Sequence, residues 1–281
     1  MGQKKHLDTR EKLIAGFEQQ IRTFFQRHRP EDSILILDST GPSATRHYLF
    51  LRALGMDRLQ RMKAVHGFSG GAFAYFGFQA VHQKALQMPI ENFYPSFDRI
   101  FRRCHHRHLL SPVQAFGNMA LKRRSAFPPQ VLDNVLRSIF AEEFLNRKLS
   151  SLPRNFVPYI GIRNQDGVAN AREILSDDHS VRDLLLAVCR VPAFYGSPTC
   201  EQPYFDAAFA KGYRTALHNM TASGTPALVS TPWREGYKGQ SLYVNCFGHR
   251  HQKWSMFKDF TLLMLNLPNR NYQHDLEAAF A

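Results

Sequence analysis

Acidic residues are scarce in this chain. Asp and Glu together number 23 among 281 residues, against 36 Lys and Arg, which leaves a formal charge of +13 at pH 7. A surface with that excess attracts anions, whether lipid headgroups, acidic proteins or nucleic acid. The charge is spread from Lys4-Lys5 through Arg102-Arg103 and Lys122-Arg123-Arg124 to Arg250 and Lys253, so it also reads as a solvated basic surface. No nucleic-acid recognition motif accompanies it, and nucleic acid is not an expected partner. Long apolar runs are missing as well: no stretch of about 18 apolar residues occurs, so no membrane-crossing helix is expected. The opening MGQKKHLDTREK has no apolar run behind its basic residues and does not read as a secretory signal. His6 stands where a myristoylation pattern wants Ser or Thr. Cysteine is sparse, with four residues and no C-x-x-C, which argues against a disulfide scaffold and for reduced thiols in a cytoplasmic chain, peripheral at membranes at most.

With 44% apolar residues and no internal repeat, the chain is long enough for one well-buried α/β domain. No linker rich in Pro, Gly or Ser divides it, so a single domain over residues 1–281 is expected. Arg10 to His28 reads as an amphipathic helix, with Leu13, Ile14, Phe17, Ile21, Phe24 and Phe25 on one face and Pro30 as its stop. The run Ser33 to Asp38 reads as a buried parallel strand, followed by a loop at Ser39–Ser43 and a helix carrying Tyr48, Leu49, Leu51, Ala53 and Leu54. Met62 to His66 reads as a second strand and Ala72 to Leu86 as a buried helix. The segment from Phe93 to Ser151 is expected to be a helical insertion or cap, with Val131, Val135, Ile139, Phe140 and Phe144 on one face. Further strands are expected at Phe156–Ile162, Ala227–Val229 and Ser241–Cys246, and helices at Val181–Val188 and Trp254–Leu267. Strands alternating with helices predict a three-layer α/β/α sandwich around a mostly parallel sheet.

Between the second strand and its helix lies Gly67-Phe68-Ser69-Gly70-Gly71, a G-x-S-x-G. A strand that turns sharply into a helix crowds the serine backbone, and small neighbours such as Gly67 and Gly71 relieve the crowding. The hydroxyl is then presented at the C-terminal edge of the sheet, ahead of a helix N-terminus that favours negative charge. The bland alternative is a tight glycine turn. The loop after the first strand, Ser39-Thr40-Gly41-Pro42, has the position to aim backbone N–H groups at a substrate oxygen. It lacks the G-K-[ST] ending of a nucleotide-binding loop, and otherwise it is only a turn.

On these residues the chain resembles the patatin-like phospholipase family. Asp38-Ser-Thr-Gly-Pro-Ser-Ala44 occupies the place of the family's D-G-G-G-x-R-G loop. Leu51-Arg-Ala-Leu54 falls where the family reads L-K-A-L, and Gly67-Phe-Ser-Gly-Gly-Ala72 stands for G-T-S-A-G-A. Ala187 to Phe194, ahead of Phe205-Asp-Ala-Ala208, is similar to the stretch that precedes D-G-G or D-G-A. The likeness spans about 33–210. It implies Ser69 as nucleophile and Asp206 as the base of a Ser–Asp dyad, with Thr40 and Gly41 at the oxyanion-hole positions. It implies no catalytic histidine, metal or cofactor. The expected activity is phospholipase A or lysophospholipase chemistry on lipid acyl esters, through an acyl-enzyme. Acyl transfer from a carrier-bound chain and a catalytically impaired lipid-binding protein are the alternatives. An anionic membrane surface or an acidic acyl carrier protein is the partner that the charge would suit. The sequence departs from the family pattern in three places. The loop keeps only Gly41 of the expected glycines; Ser43 replaces its arginine, with Arg46 close by; and Ala207-Ala208 replaces the glycine after the aspartate.

Other polar clusters carry less. Cys104-His105-His106-Arg107-His108 has ligand-like spacing but arginine neighbours, so a basic helix face is the expectation. His66 is expected to pack within its strand, and His249 and His251 to lie on the surface. Trp254–Leu267 is expected to be a core helix rather than a lipid gate.

Overall fold

The structure, a computed structural model, describes residues 2–87, 100, 103–104, 125, 127–128, 130–163, 167–192, 194–195, 203–231 and 241–245. Among the described residues seven strands form one sheet: β1 (Ile34–Leu37), β2 (Ala64–Phe68), β3 (Phe156–Ile162), β4 (Gly167–Asn170), β5 (Tyr204–Asp206), β6 (Ala227–Thr231) and β7 (Ser241–Asn245). Their order is β4-β3-β2-β1-β6-β7, with β5 pairing with β3 as well. β3-β2-β1-β6-β7 run parallel, and β4 and β5 are antiparallel to β3. The fold is therefore mixed α/β with a mostly parallel central sheet.

The described helices are α1 (Gly2–Phe25), α2 (Thr45–Leu54), α3 (Met56–Arg61), α4 (Gly70–His82), α5 (Gln130–Ile139), α6 (Glu142–Leu145), α7 (Ala171–Ile174), α8 (Val181–Val188) and α9 (Tyr213–Ala222). Alternation along the strands sends side chains to two faces. Leu35, Leu37, Val65 and Leu228 join the larger core with residues of α1, α2, α4, α5 and α8. Ile34, Ile36, Ala227 and Val229 face the other way, against Tyr213 and Leu217 of α9. Parallel strands covered on both faces need continuous apolar runs, which is why Ile-Leu-Ile-Leu at β1 is wholly buried.

Several expected elements shift in the structure. α1 ends at Phe25; the chain continues through turn hydrogen bonds such as His28 N–H to the Phe24 carbonyl at 3.2 Å, and Pro30 opens a short 3-10 turn. β2 begins two residues later than the apolar run predicts and extends through Gly67 and Phe68, because these still pair with Pro158 and Tyr159. The turn out of the strand is thus Ser69 alone, and α4 begins directly after it. Of the expected middle insertion, α5 and α6 are seen with Val131, Val135, Ile139, Phe140 and Phe144 all buried. Most of 93–129 lies outside the described residues. So do Cys246, His249, His251, the expected helix at Trp254–Leu267 and the side chain of Arg46. No helix among the described residues is long and apolar enough to cross a membrane.

Aromatic packing ties the central strands to the helix that follows the serine. Phe156 of β3 is fully buried, stacked on Tyr75 of α4 with ring centroids 3.8 Å apart, and edge-on to Phe76 at 5.3 Å. The edge contact adds to the area that the stack buries. We expect Phe156→Ala to lower the unfolding free energy by about 3–5 kcal/mol, measured by urea denaturation at constant slope.

Candidate active site

The sheet register decides which side chains meet. Tyr159 of β3 pairs with Phe68, the last residue of β2; the next β3 residue, Ile160, pairs with Asp206. β4 occupies the opposite edge at both positions, opposing Asn170 to Tyr159 and Ala169 to Ile160. β5 therefore takes over the edge that β2 leaves, and Asp206 arrives beside the residue that follows Phe68. That residue is Ser69, 137 positions away in sequence, and its hydroxyl donates to Asp206 Oδ2 at 2.5 Å.

Ser69 is held with φ 46° and ψ −118°, in the positive-φ region that a side chain enters at a cost of about 1–3 kcal/mol. The cost is met by what surrounds it. β2 fixes the residue before, and the Phe73 N–H takes the Ser69 carbonyl at 3.0 Å as α4 begins. Gly70 and Gly71 let the end of β1 come close. A β-carbon on Gly71 would run into the carbonyls of Leu37 and Asp38; one on Gly70 would lie 2.6 Å from Thr40 Oγ1 and 2.8 Å from the Gly41 carbonyl oxygen. Thr40 and Gly41 thus stand against the first turn of the helix behind the serine, and Gly41 itself has φ 55°.

Asp206 is 1% exposed and Ser69 4%. The carboxylate is fixed at both oxygens: Oδ2 accepts from Ser69, and Oδ1 accepts the Ala208 N–H at 3.0 Å as a short 3-10 turn begins. Its own N–H reaches the Arg190 carbonyl at 2.8 Å. Ala207 and Ala208 need no glycine-only angles here, since the turn proceeds with negative φ. Burial pushes the Asp206 carboxyl up to about 7, although the bonds from Ser69 and Ala208 pull the other way.

Beneath the loop lies a polar network that the motifs did not reveal. Asp38, fully buried, accepts the Ser39 N–H at 2.7 Å and the Tyr213 hydroxyl on Oδ1, and the Thr231 hydroxyl on Oδ2 at 2.6 Å. Its carbonyl accepts from His47 Nε2 at 2.7 Å, and His47 Nδ1 lies 2.8 Å from Ser230 Oγ. A carbonyl only accepts, so Nε2 carries the proton and Nδ1 takes that of Ser230. Desolvation pushes His47 down to about 4 despite the Asp38 bond, which keeps the ring neutral. The available signal was positional: Asp38 and Ser230-Thr231 are polar residues at the C-terminal ends of adjacent parallel strands, where open α/β sheets build their sites.

His66 does pack within the sheet layer, with Nδ1 3.0 Å from the Tyr159 hydroxyl. Cys104 packs, partly buried, against the larger core, while His105 to His108 of the expected basic face lie outside the described residues. Among the described residues, no three His, Cys, Asp or Glu side chains group as a metal would need. Comparison with known family models, with curated proteins and with solved structures returns no significant match to this chain.

Two outcomes follow from this geometry. The folded carboxyl of Asp206 keeps its proton up to about 7, while an unfolded aspartate releases it near 3.8. The folded state binds the extra proton between those values, so the group's contribution is full below the lower one and drains as pH rises through about 7. Wild type should accordingly lose stability relative to Asp206→Asn across that window, read from paired unfolding curves at several pH values. Gly71→Ala should destabilise by about 1–3 kcal/mol or more, because the carbonyls it meets belong to a strand held on both sides and cannot give way; thermal unfolding measures it.

Proposed function

We propose that this chain is a serine acyl hydrolase with a patatin-like α/β/α sandwich, cleaving lipid acyl esters of the phospholipase A or lysophospholipase type. One observation carries the reading: a serine at a strained strand-to-helix turn donates its hydroxyl proton's bond to a buried, doubly held aspartate. Among the described residues, His47 and His66 make their hydrogen bonds elsewhere, so the carboxylate is the base.

In the first half-reaction Ser69 Oγ bonds to the ester carbonyl carbon while its proton passes to Asp206 Oδ2. The carbonyl electron pair moves to the oxygen, facing the start of α4 and the N–H groups of the Thr40-Gly41 loop. When the pair returns, the carbon–oxygen bond to the alcohol breaks and Asp206 gives that proton to the leaving oxygen. Water repeats the sequence on the acyl-enzyme and releases the fatty acid. A pKa near 7 suits a group that must take and return one proton at neutral pH. The +13 charge supports docking at an anionic lipid surface. The same charge favours one second reading, in which the acyl group passes to an acidic carrier protein in place of water.

A fluorophosphonate probe should label the wild type, and Ser69→Ala should abolish both labelling and release of fatty acid from phospholipid or a p-nitrophenyl acyl ester. Unlabelled wild type, or equal turnover by Ser69→Ala, ends the proposal. The kcat/KM of the wild type should rise with pH through about 7, as Asp206 ionises in the free enzyme. With a carrier-bound acyl thioester, free acid as the sole product rejects the transfer reading.

A further inference from the structure

The strongest unexplained feature near the dyad is a hydroxyl without a partner. Thr40 is 3% exposed, and among the described residues its Oγ1 has no hydrogen-bonding partner. A buried polar atom in that state loses its water without compensation, so native proteins retain few of them, and those few call for a reason. The position of this one is informative. It lies against Gly70, the first residue of α4, only 2.6 Å from where a β-carbon there would be, and the Gly41 nitrogen lies 3.1 Å from the same point. α4 is 13 residues long, so its first N–H groups and its dipole face the same corner. The N–H end of a helix, a loop backbone N–H and a side-chain hydroxyl therefore meet at Gly70, the residue after Ser69, with the Gly41 carbonyl oxygen 2.8 Å from the same point.

Resting on the acyl-hydrolase reading above, we propose that the Thr40 hydroxyl is a catalytic residue, a side-chain donor of the oxyanion hole alongside the backbone donors. Its O–H gives a hydrogen bond, not a proton, to the acyl oxygen as that oxygen takes the carbonyl electron pair. Among the described residues the hydroxyl has no acceptor, and the charged intermediate supplies one. Such an interaction exists only on the way to the transition state, so it lowers the barrier without tightening substrate binding. The arrangement trades stability for rate: the unpaired hydroxyl weakens the folded protein and strengthens the reacting complex.

That trade separates a catalytic role from a structural one. Thr40→Val keeps the branched shape and removes only the hydroxyl; Thr40→Ser keeps the hydroxyl and removes a methyl. The assay is p-nitrophenyl acyl ester hydrolysis, with fluorophosphonate labelling rates and melting temperatures measured in parallel. Thr40→Val should lower kcat by about 10²–10³-fold with KM unchanged, as loss of one oxyanion donor does elsewhere. Its labelling should slow in step, and its melting temperature should hold or rise. Thr40→Ser should retain most of the wild-type kcat. A Thr40→Val enzyme within twofold of wild type overturns the inference while leaving the dyad intact. So does a Thr40→Val enzyme that loses rate and melting temperature together with Thr40→Ser, since that pattern marks packing. Wild type that neither labels nor turns over sinks the acyl-hydrolase reading itself, and the inference with it.

Discussion

β3 lends one edge to two strands in succession. β2 holds it up to Tyr159, and β5 takes it from Ile160 onward, in the opposite direction. The handover point is where β2 stops, and β2 stops because Ser69 adopts a positive φ that no strand tolerates. The aspartate and the serine are thereby made neighbours by main-chain pairing rather than by a flexible loop. A hydrogen bond set by ladder register is reproducible to a fraction of an ångström, which is what a proton transfer between two side chains demands. The other contacts of Asp206, to Ala208 and Arg190, then fix the carboxyl's rotation in a position already chosen.

Three groups at this place are held in unfavourable states. Ser69 carries backbone strain, Asp206 a buried carboxyl raised to about 7, and Thr40 an unpaired hydroxyl. Each costs stability, and the local hydrogen bonds to Ser69 and Asp206 offset only part of it. The compensation is the surrounding core: the Phe156–Tyr75 stack, the edge contact to Phe76 and the wholly buried β1 join β3, α4 and the elbow into one packed body. Clustering of local conflicts at one point of an otherwise consistent fold is how a site differs from a defect. The Asp38 network differs in kind. It is a buried polar cluster with its charges and rings bonded, and it stiffens the base of the loop that faces the serine.

Much of the sheet was legible as apolar runs, because parallel strands buried on two faces cannot be written otherwise. The run Phe156–Ile162 and the periodic segment Val181–Val188 have the bounds that their patterns imply. β4 was not legible: Gly-Val-Ala-Asn is partly exposed along its length and carries no apolar run. α9 was missed for a related reason, since only Tyr213, Leu217 and Thr221 of its ten residues are buried. The serine and its aspartate were found by motif and spacing, but their contact depends on the β3 register, which no local pattern encodes. Beyond the strand-end positions of Asp38 and Ser230-Thr231, the network with His47 and Tyr213 was not legible, because its members come from α2, α9, β6 and the loop after β1, up to 193 positions apart. The difference from expectation at the elbow is instructive too. Residues 67 and 68 read as turn from composition, yet their neighbours in the sheet keep them in the strand.

The worn glycine loop looks at first like damage to the site, and the packing argues otherwise. The family pattern that this chain resembles puts glycine at the position of Thr40 and alanine at that of Gly70. Here the sizes stand the other way round: Thr40 carries a side chain on the loop and Gly70 carries none on the helix. The contact shows why the pair must change together, because a methyl at 70 would stand 2.6 Å from the Thr40 hydroxyl. Close approach between a loop and an elbow needs small residues on one side of the contact, not on a particular side. By placing glycine at 70 and 71, the chain keeps the loop near the serine and frees the loop position to carry a functional group. On the proposed acyl-hydrolase reading, glycine on the helix and a polar side chain on the loop support a site for the same oxygen with a different set of donors.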